Sequence, residues 1–274
     1  MVEELASTAV LPHLHTGWLG HAYHYYPTIS STNDVLKEMV RQGSDQWPPA
    51  GTVLVADYQS AGRGRLDRRW EASPGTSLMM SLLFRPDWPG QQLLWLTMMA
   101  SLAVLEAAET AVGIHAAPMG VKWPNDLMIW QEGVWRKWGG LLLEGSVAEN
   151  GRLQTVVMGL GLNVNMTTSQ LPQGITPTAS LSLAAGRPVS RLALLVDILT
   201  RLEGYYAAAE DGRSPQPQWQ ARLITLGQMV TVSRPGQPLL AGQAVGVDEW
   251  GQLLVQSADG RQHTIAAGDV SLRG

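Results

Sequence analysis

Four short segments carry side chains that could do chemistry. The first runs Tyr58-Gln59-Ser60-Ala61-Gly62-Arg63-Gly64-Arg65 and continues to Arg68, Arg69 and Trp70. Alternating glycines let a backbone approach an anion closely, while guanidinium groups supply permanent charge and forked donors suited to phosphate oxygens. The run is therefore a candidate phosphate-handling loop, although alone it reads equally as a solvated basic turn. It is not a familiar nucleotide motif: the lysine and hydroxyl that complete a P-loop are missing, and so is the spacing of a dinucleotide fingerprint.

The second segment, Val121-Lys122-Trp123-Pro124-Asn125-Asp126-Leu127, sets polar groups into an apolar run. Pro124 forbids ordinary central pairing, so a strand there must bend and turn Asn125 and Asp126 outward, toward a pocket or simply into a turn. The third, Lys137-Trp138-Gly139-Gly140-Leu141-Leu142-Leu143-Glu144, places a lysine at an expected strand entrance. There it could stabilise charge developing on a carboxylate or phosphate, or be solvated. The fourth, Gly159-Leu160-Gly161-Leu162-Asn163-Val164-Asn165, has strand glycines that suggest close approach of a ligand or a neighbouring strand.

The elements that must position these groups alternate in type. Ser31, with Asp34 three residues on, predicts a helix start ahead of Leu36, Met39 and Val40. Gly51 to Asp57 and Thr76 to Phe84 read as strands flanking the Gly-Arg loop. Gln91 to Val112 reads as a buried helix stopped by Gly113. Val121 to Trp130, Gly139 to Val147 and Leu153 to Val164 read as three more strands, and Arg191 to Ala209 as a helix. Asp211 to Pro217 interrupts the helical pattern before Trp219 to Leu226 resumes it. Beyond Gly227, short apolar runs separated by turns at Arg234 to Pro238, Glu249 to Gly251 and Asp259 to Gly260 suggest a small antiparallel barrel. The reading is an α/β (α+β) catalytic domain over 1–226 and a small β domain over 227–274.

Composition narrows the classes. With 45% hydrophobic and 15% charged residues the chain is neither disordered nor fibrous. The lack of cysteine rules out disulfides and thiolate chemistry. A formal net charge of -4 argues against a dedicated DNA-binding domain. The start lacks a basic leader and no apolar run is long enough to span a bilayer, so a cytoplasmic location with no membrane partner is the default expectation. His13, His15, His21 and His24 show no repeated ligand spacing and are not read as a metal cluster. The eleven tryptophans are read as core and interface bulk.

Ser31-Thr32-Asn33, the Gly-Arg loop, Lys-Trp-Pro-Asn-Asp, Lys137 before its glycines and Gly-x-Gly-x-Asn occur together in an order and spacing that resemble biotin protein ligases. The resemblance is strong over Ser30 to Asn165 and extends to the rest in layout. It implies a mixed-sheet catalytic domain with flanking helices and a C-terminal barrel of the Src-homology type. It also implies the activity: biotin is joined to the α-phosphate of ATP with Mg²⁺, then transferred to a lysine of a biotin carboxyl carrier protein, as in acetyl-CoA carboxylase.

By motif position the resemblance assigns Ser31, Thr32, Asn33 and Gln59 to the biotin head group, with Gly140 lining that pocket. Gly62, Arg63, Gly64 and Arg65 belong to the loop closing over the adenylate, with Arg68 and Trp70 on the nucleotide side. Lys137 is the catalytic lysine. Asn125 and Asp126 lie near phosphate and metal, and whether Asp126 assists Mg²⁺ or accepts the acceptor lysine's proton stays open. Asn163 supports the adenosine, and Met166 to Thr178 resembles an adenine-covering segment. Lipoate or octanoate ligases share fold and logic and form the nearer rival; Gln59, Ser31-Thr32 and the full Gly-Arg run favour biotin. A repressor is not expected, because 11–27 does not read as three helices, and no nucleic acid partner is expected. Monomer and homodimer both remain open.

Overall fold

In a computed structural model of the chain, residues 4–43, 47–65, 68–113, 117–173, 176–233, 236 and 238–272 are described. The first part runs α1 (Ser7–Val10), β1 (Tyr23–Ile29), α2 (Thr32–Gln42), β2 (Val53–Gln59), β3 (Ser77–Phe84) and α3 (Leu93–Val112). It continues through β4 (Met119–Lys122), β5 (Asp126–Gln131), β6 (Val134–Val147), β7 (Leu153–Asn163), α4 (Leu181–Ala185), α5 (Arg191–Glu210) and α6 (Gln216–Gln220). The C-terminal part holds β8 (Met229–Ser233), β9 (Leu240–Val247), β10 (Leu253–Gln256), β11 (Gln262–Ile265) and β12 (Asp269–Leu272).

Seven strands form one mixed sheet in the order β1-β2-β3-β7-β6-β5-β4, with β1 and β2 parallel and the other neighbours antiparallel. Alternation along the central strands divides its two faces. Leu78, Met80, Leu82 and Phe84 of β3, with Val156, Met158, Leu160 and Leu162 of β7, enter the main core with residues of α3 and α5. Leu83 and Val157 lie on the opposite face, where Leu36 of α2 covers them. The alternate positions Gly159 and Gly161 of β7 continue along that second face, and the candidate site is built there.

The helix start at Ser31 is as expected: the Ser31 Oγ accepts from the Asp34 N–H at 3.4 Å. The 90–112 segment is the one described helix long and apolar enough to cross a membrane, and 72% of its most apolar 18-residue window is buried inside the molecule as a core helix. Five tryptophans, at 88, 95, 123, 138 and 219, are buried, in keeping with a bulk role. Among the described residues no histidine cluster able to hold a metal forms.

Several expectations are corrected. Val121 to Trp130 is not one strand but the hairpin of β4 and β5, with Lys122 opposite Asp126, because the chain reverses at Pro124, which cannot donate to a ladder. β6 begins at Val134, so Lys137 stands inside a strand rather than at its entrance. In place of the Trp219 to Leu226 helix stands the short α6, which begins earlier, at Gln216 within the expected interruption, and ends at Gln220. The sequence pattern gave no sign of β1 or α4; Pro27 disguises β1, and proline is tolerated there because β1 is an edge strand.

The expected barrel is a five-stranded antiparallel sheet with β11 and β12 at its edges. Its turns at Glu249 to Gly251 and Asp259 to Gly260 lie between strands as expected, while Arg234, Pro235 and Gln237 of the third turn lie outside the described residues. This sheet packs on α3. The Trp95 indole N–H donates to the Glu249 carbonyl at 3.2 Å and its ring stacks on Trp250, and the Trp123 indole N–H donates to the Gly251 carbonyl at 2.9 Å.

Candidate active site

A cleft of about 670 Å³ opens over the second face of the large sheet. Its floor is backbone where side chains would obstruct. A Cβ at Gly159 would overlap the Asn33 side-chain amide, and one at Gly161 would stand 2.6 Å from the Trp70 indole. The Gly-x-Gly spacing thus clears alternate positions of β7, all on one face, for α2 and the arginine loop.

One end of the cleft is a buried hydrogen-bonding shell. Gln59 Oε1 accepts from the Thr32 N–H at 2.7 Å and lies 3.1 Å from the Thr32 hydroxyl. The Ser81 hydroxyl lies 2.7 Å from that of Thr32 and 2.5 Å from Asn33 Oδ1. Asn33 Nδ2 donates to Glu144 Oε2 at 2.9 Å. Ser31, Thr32, Asn33 and Ser81 are all buried, so a ligand ring held here would meet fixed donors and acceptors in little water.

The arginine loop closes one side. Arg63 Nη1 donates to Asp34 Oδ1 at 2.7 Å and to Glu144 Oε1 at 3.1 Å. Arg65 donates to Asn125 Oδ1 at 2.8 Å and to the Gly268 carbonyl at 3.1 Å, and Arg68 forks onto Asp269 at 2.6 and 2.9 Å. Burial lowers the Arg65 pKa, with the charges of Asp269 and Asp126 opposing that shift. Asn125 is itself fixed by donating to the Leu141 carbonyl at 2.5 Å.

On the wall of the same cleft, Lys137 Nζ meets Asp126 Oδ1 at 2.5 Å with both side chains largely buried, 26% and 21% exposed. A bulge puts the lysine there. β5 pairs Leu127 with Gly139 but Met128 with Lys137, skipping Trp138. Trp138 and Gly139 consequently both turn to the core, and Lys137 joins Gly140 on the cleft side, its Nζ 3.4 Å from where a Gly140 Cβ would stand. Lys122 lines the same wall. Burial lowers its pKa, the charges of Lys137 and Arg68 push the same way, and those of Asp126 and Asp269 oppose them.

The residues singled out from the sequence converge on this cleft, with one exception: Gly62 borders an adjoining hollow of about 480 Å³, its carbonyl accepting from the Trp70 N–H at 3.0 Å. Asn163 donates through Nδ2 to the Ala179 carbonyl at 3.1 Å. Its Oδ1 and the Trp70 indole N–H are buried with no partner among the described residues, an acceptor and a donor free to meet a ligand. Of the expected adenine-covering segment, Pro172, Gln173, Thr176 and Thr178 reach the cleft, while Gly174 and Ile175 lie outside the described residues. Sequence reasoning assigned no part to Ser81, Asp34, Lys37 or Asp269. Glu144 and Lys122 stood in quoted motifs, yet their roles became visible only through tertiary partners.

A model of the biotin/lipoate A/B protein ligase family matches residues 25–163, and one of the biotin protein ligase C terminal domain matches 225–273. The bifunctional ligase/repressor BirA of Bacillus subtilis (strain 168) is 34% identical over 262 residues, which is 94% of this chain and 76% of that protein. The biotin–[acetyl-CoA-carboxylase] ligase of Mycobacterium tuberculosis is 31% identical over 258 residues, covering 92% of this chain and 90% of that one. The solved biotin protein ligase from Aquifex aeolicus in complex with biotin and ATP is 27% identical with a TM-score of 0.72, over 92% of this chain and 99% of that chain. With both domain matches, their order along the chain and the cleft between them, the chain belongs to the biotin/lipoate A/B protein ligase family, among its biotin protein ligases.

Proposed function

We propose that the cleft activates biotin with ATP and passes it to one lysine of a biotin carboxyl carrier protein, with the roles distributed as the sequence motifs suggest. The observation that carries this reading is that one cleft brings the Lys137–Asp126 pair together with a buried polar shell that would suit a cyclic urea and an arginine loop that would suit phosphate. The carboxylate oxygen of biotin would attack the α-phosphorus and pyrophosphate would leave. Lys137 would hold carboxylate and α-phosphate in line and stabilise the charge gathering between them. Arg63 and Arg65 would neutralise the phosphate of the adenylate, and Trp70 and Asn163 would offer their unpartnered donor and acceptor to the adenosine.

In the second step the acceptor lysine's amine would attack the acyl carbon, AMP would leave, and the amine would shed a proton. Asp126 stands where it could receive that proton or assist Mg²⁺. If Mg²⁺ takes part by the second route, Asp126, which lines the cleft, would be the carboxylate to hold it, with ATP phosphates and water as the remaining oxygen ligands. The metal would supply charge neutralisation on the triphosphate.

The carrier protein of acetyl-CoA carboxylase is the proposed acceptor, on the strength of relatives named for that reaction. The same reading places the enzyme in the cytosol and draws a domain division at 226/227, beside the start of the C-terminal family match at 225. ATP–pyrophosphate exchange with Mg²⁺, run separately with biotin, lipoate and octanoate, tests it. Exchange only with biotin is expected; exchange only with another acid would move the same mechanism to that substrate.

A further inference from the structure

Glu144 touches neither the reacting atoms nor any expected ligand position, yet it joins the polar shell to the arginine loop. Its Oε2 accepts from Asn33 Nδ2, while its Oε1 accepts from Lys37 Nζ at 2.8 Å and from Arg63 Nη1 at 3.1 Å. Asp34 makes the companion contacts, 2.7 Å to Arg63 and 2.9 Å to Lys37. The guanidinium expected to meet phosphate is therefore held by two carboxylates.

Proton counting gives the network a direction. An ionised Glu144 only accepts, so Asn33 must present its Nδ2 to it and its Oδ1 to Ser81. Ser81 has one proton, and Asn33 Oδ1 at 2.5 Å can only accept, so Ser81 donates there and takes the Thr32 hydroxyl as its donor. Gln59 Oε1 keeps the Thr32 N–H. The charge on Glu144 thus sets the donor and acceptor pattern of the polar shell through Asn33 and Ser81 as far as the Thr32 hydroxyl. Burial alone would raise the Glu144 pKa, but hydrogen bonds from Lys37 and Asn33 and the charges of Lys37 and Arg63 lower it overall, which keeps it ionised.

We propose that Glu144 is a positioning residue that couples the two substrates: it orients the Asn33–Ser81–Thr32 part of the shell and, with Asp34, competes with phosphate for the Arg63 guanidinium. This rests on the assignment of the shell to biotin and the loop to the nucleotide. Arg63 must exchange carboxylates for phosphate. Once it has left, Glu144 keeps only Lys37 and Asn33, which strengthens its hold on the shell and hence on a bound head group.

The test is the dissociation constant of biotin measured calorimetrically with and without saturating α,β-methylene-ATP, for the wild type, Glu144→Gln, Asp34→Asn and Ser81→Ala. In the wild type the nucleotide should tighten biotin about tenfold. Glu144→Gln should bring that ratio close to one while the nucleotide alone binds more tightly, because Arg63 is released. Asp34→Asn should tighten the nucleotide alone but keep most of the ratio, since Asp34 does not reach Asn33. Ser81→Ala, which leaves both ion pairs of Arg63 in place, should weaken biotin and lose the ratio, and it carries the test if the glutamate variant does not fold. A purely structural Glu144 would lower the melting temperature and leave the ratio at its wild-type value, which overturns the proposal. Wild-type protein that binds no biotin would overturn the functional reading as well.

Discussion

At the scale of the residue, three cations of the cleft are paired with carboxylates. Lys137 rests on Asp126, Arg63 on Asp34 and Glu144, and Arg68 on Asp269, so an anionic group binding at one of them would replace a carboxylate rather than meet a bare charge. Exchanging one ion pair for another in a partly buried site avoids the cost of desolvating an unpaired cation. Lys137 is the cation proposed to hold the reacting carboxylate and α-phosphate, and its loss should be felt in the adenylation step. Lys137→Ala is expected to lower the rate of biotin-dependent ATP–pyrophosphate exchange by about 10²- to 10³-fold, the usual effect of deleting one group that stabilises transition-state charge. Biotin affinity, carried by the shell, should change far less. Wild-type exchange in this variant would remove Lys137 from the chemistry.

At the scale of the element, the sheet supplies the precision. A strand alternates its side chains, so β7 can offer bare backbone at 159 and 161 to the cleft while Leu160 and Leu162 stay in the core. Gly161→Ala should leave that core alone yet drive a methyl into the Trp70 indole. The expected result is a KM for ATP raised about tenfold, corresponding to roughly 1.4 kcal/mol of lost binding, with calorimetric biotin affinity unchanged. An unchanged KM for ATP would mean that Trp70 does not serve the nucleotide. The bulge at Trp138 works in the same way, since without it Lys137 would follow the alternation of β6 into the core face.

At the scale of the whole molecule, the C-terminal sheet completes the cleft. Asp269, Val270 and Ser271 line it, and Gly268 and Asp269 receive Arg65 and Arg68 of the loop. The registry between the two parts is set in the core by Trp95 and Trp123, whose indole N–H groups end on Glu249 and Gly251 carbonyls. Trp123→Phe keeps the apolar bulk but leaves the Gly251 carbonyl without its donor, at a cost of about 1–3 kcal/mol. A thermal melt should show Tm lower by several degrees, and the KM for ATP should rise because the 268–271 segment is less firmly placed. Unchanged values of both would separate the C-terminal sheet from nucleotide binding.

The local pattern by itself determined the kinds of chemistry available and most of the elements. The cap at Ser31, the apolar helix ended by Gly113, and the glycine-arginine alternation act over a few residues, where backbone geometry and side-chain type decide the outcome. Resemblance in motif order then supplied the activity. Which atoms meet was decided only by tertiary structure. Asn33 and Glu144 are 111 positions apart, and Arg68 and Asp269 are 201, so no local spacing can announce their pairing. Lys137 reached Asp126 through a one-residue bulge, and a slip of one residue turns a side chain to the opposite face of its sheet. The strand β1 escaped notice for a related reason: its edge position, which makes Pro27 acceptable, is a property of the assembled sheet and not of the segment.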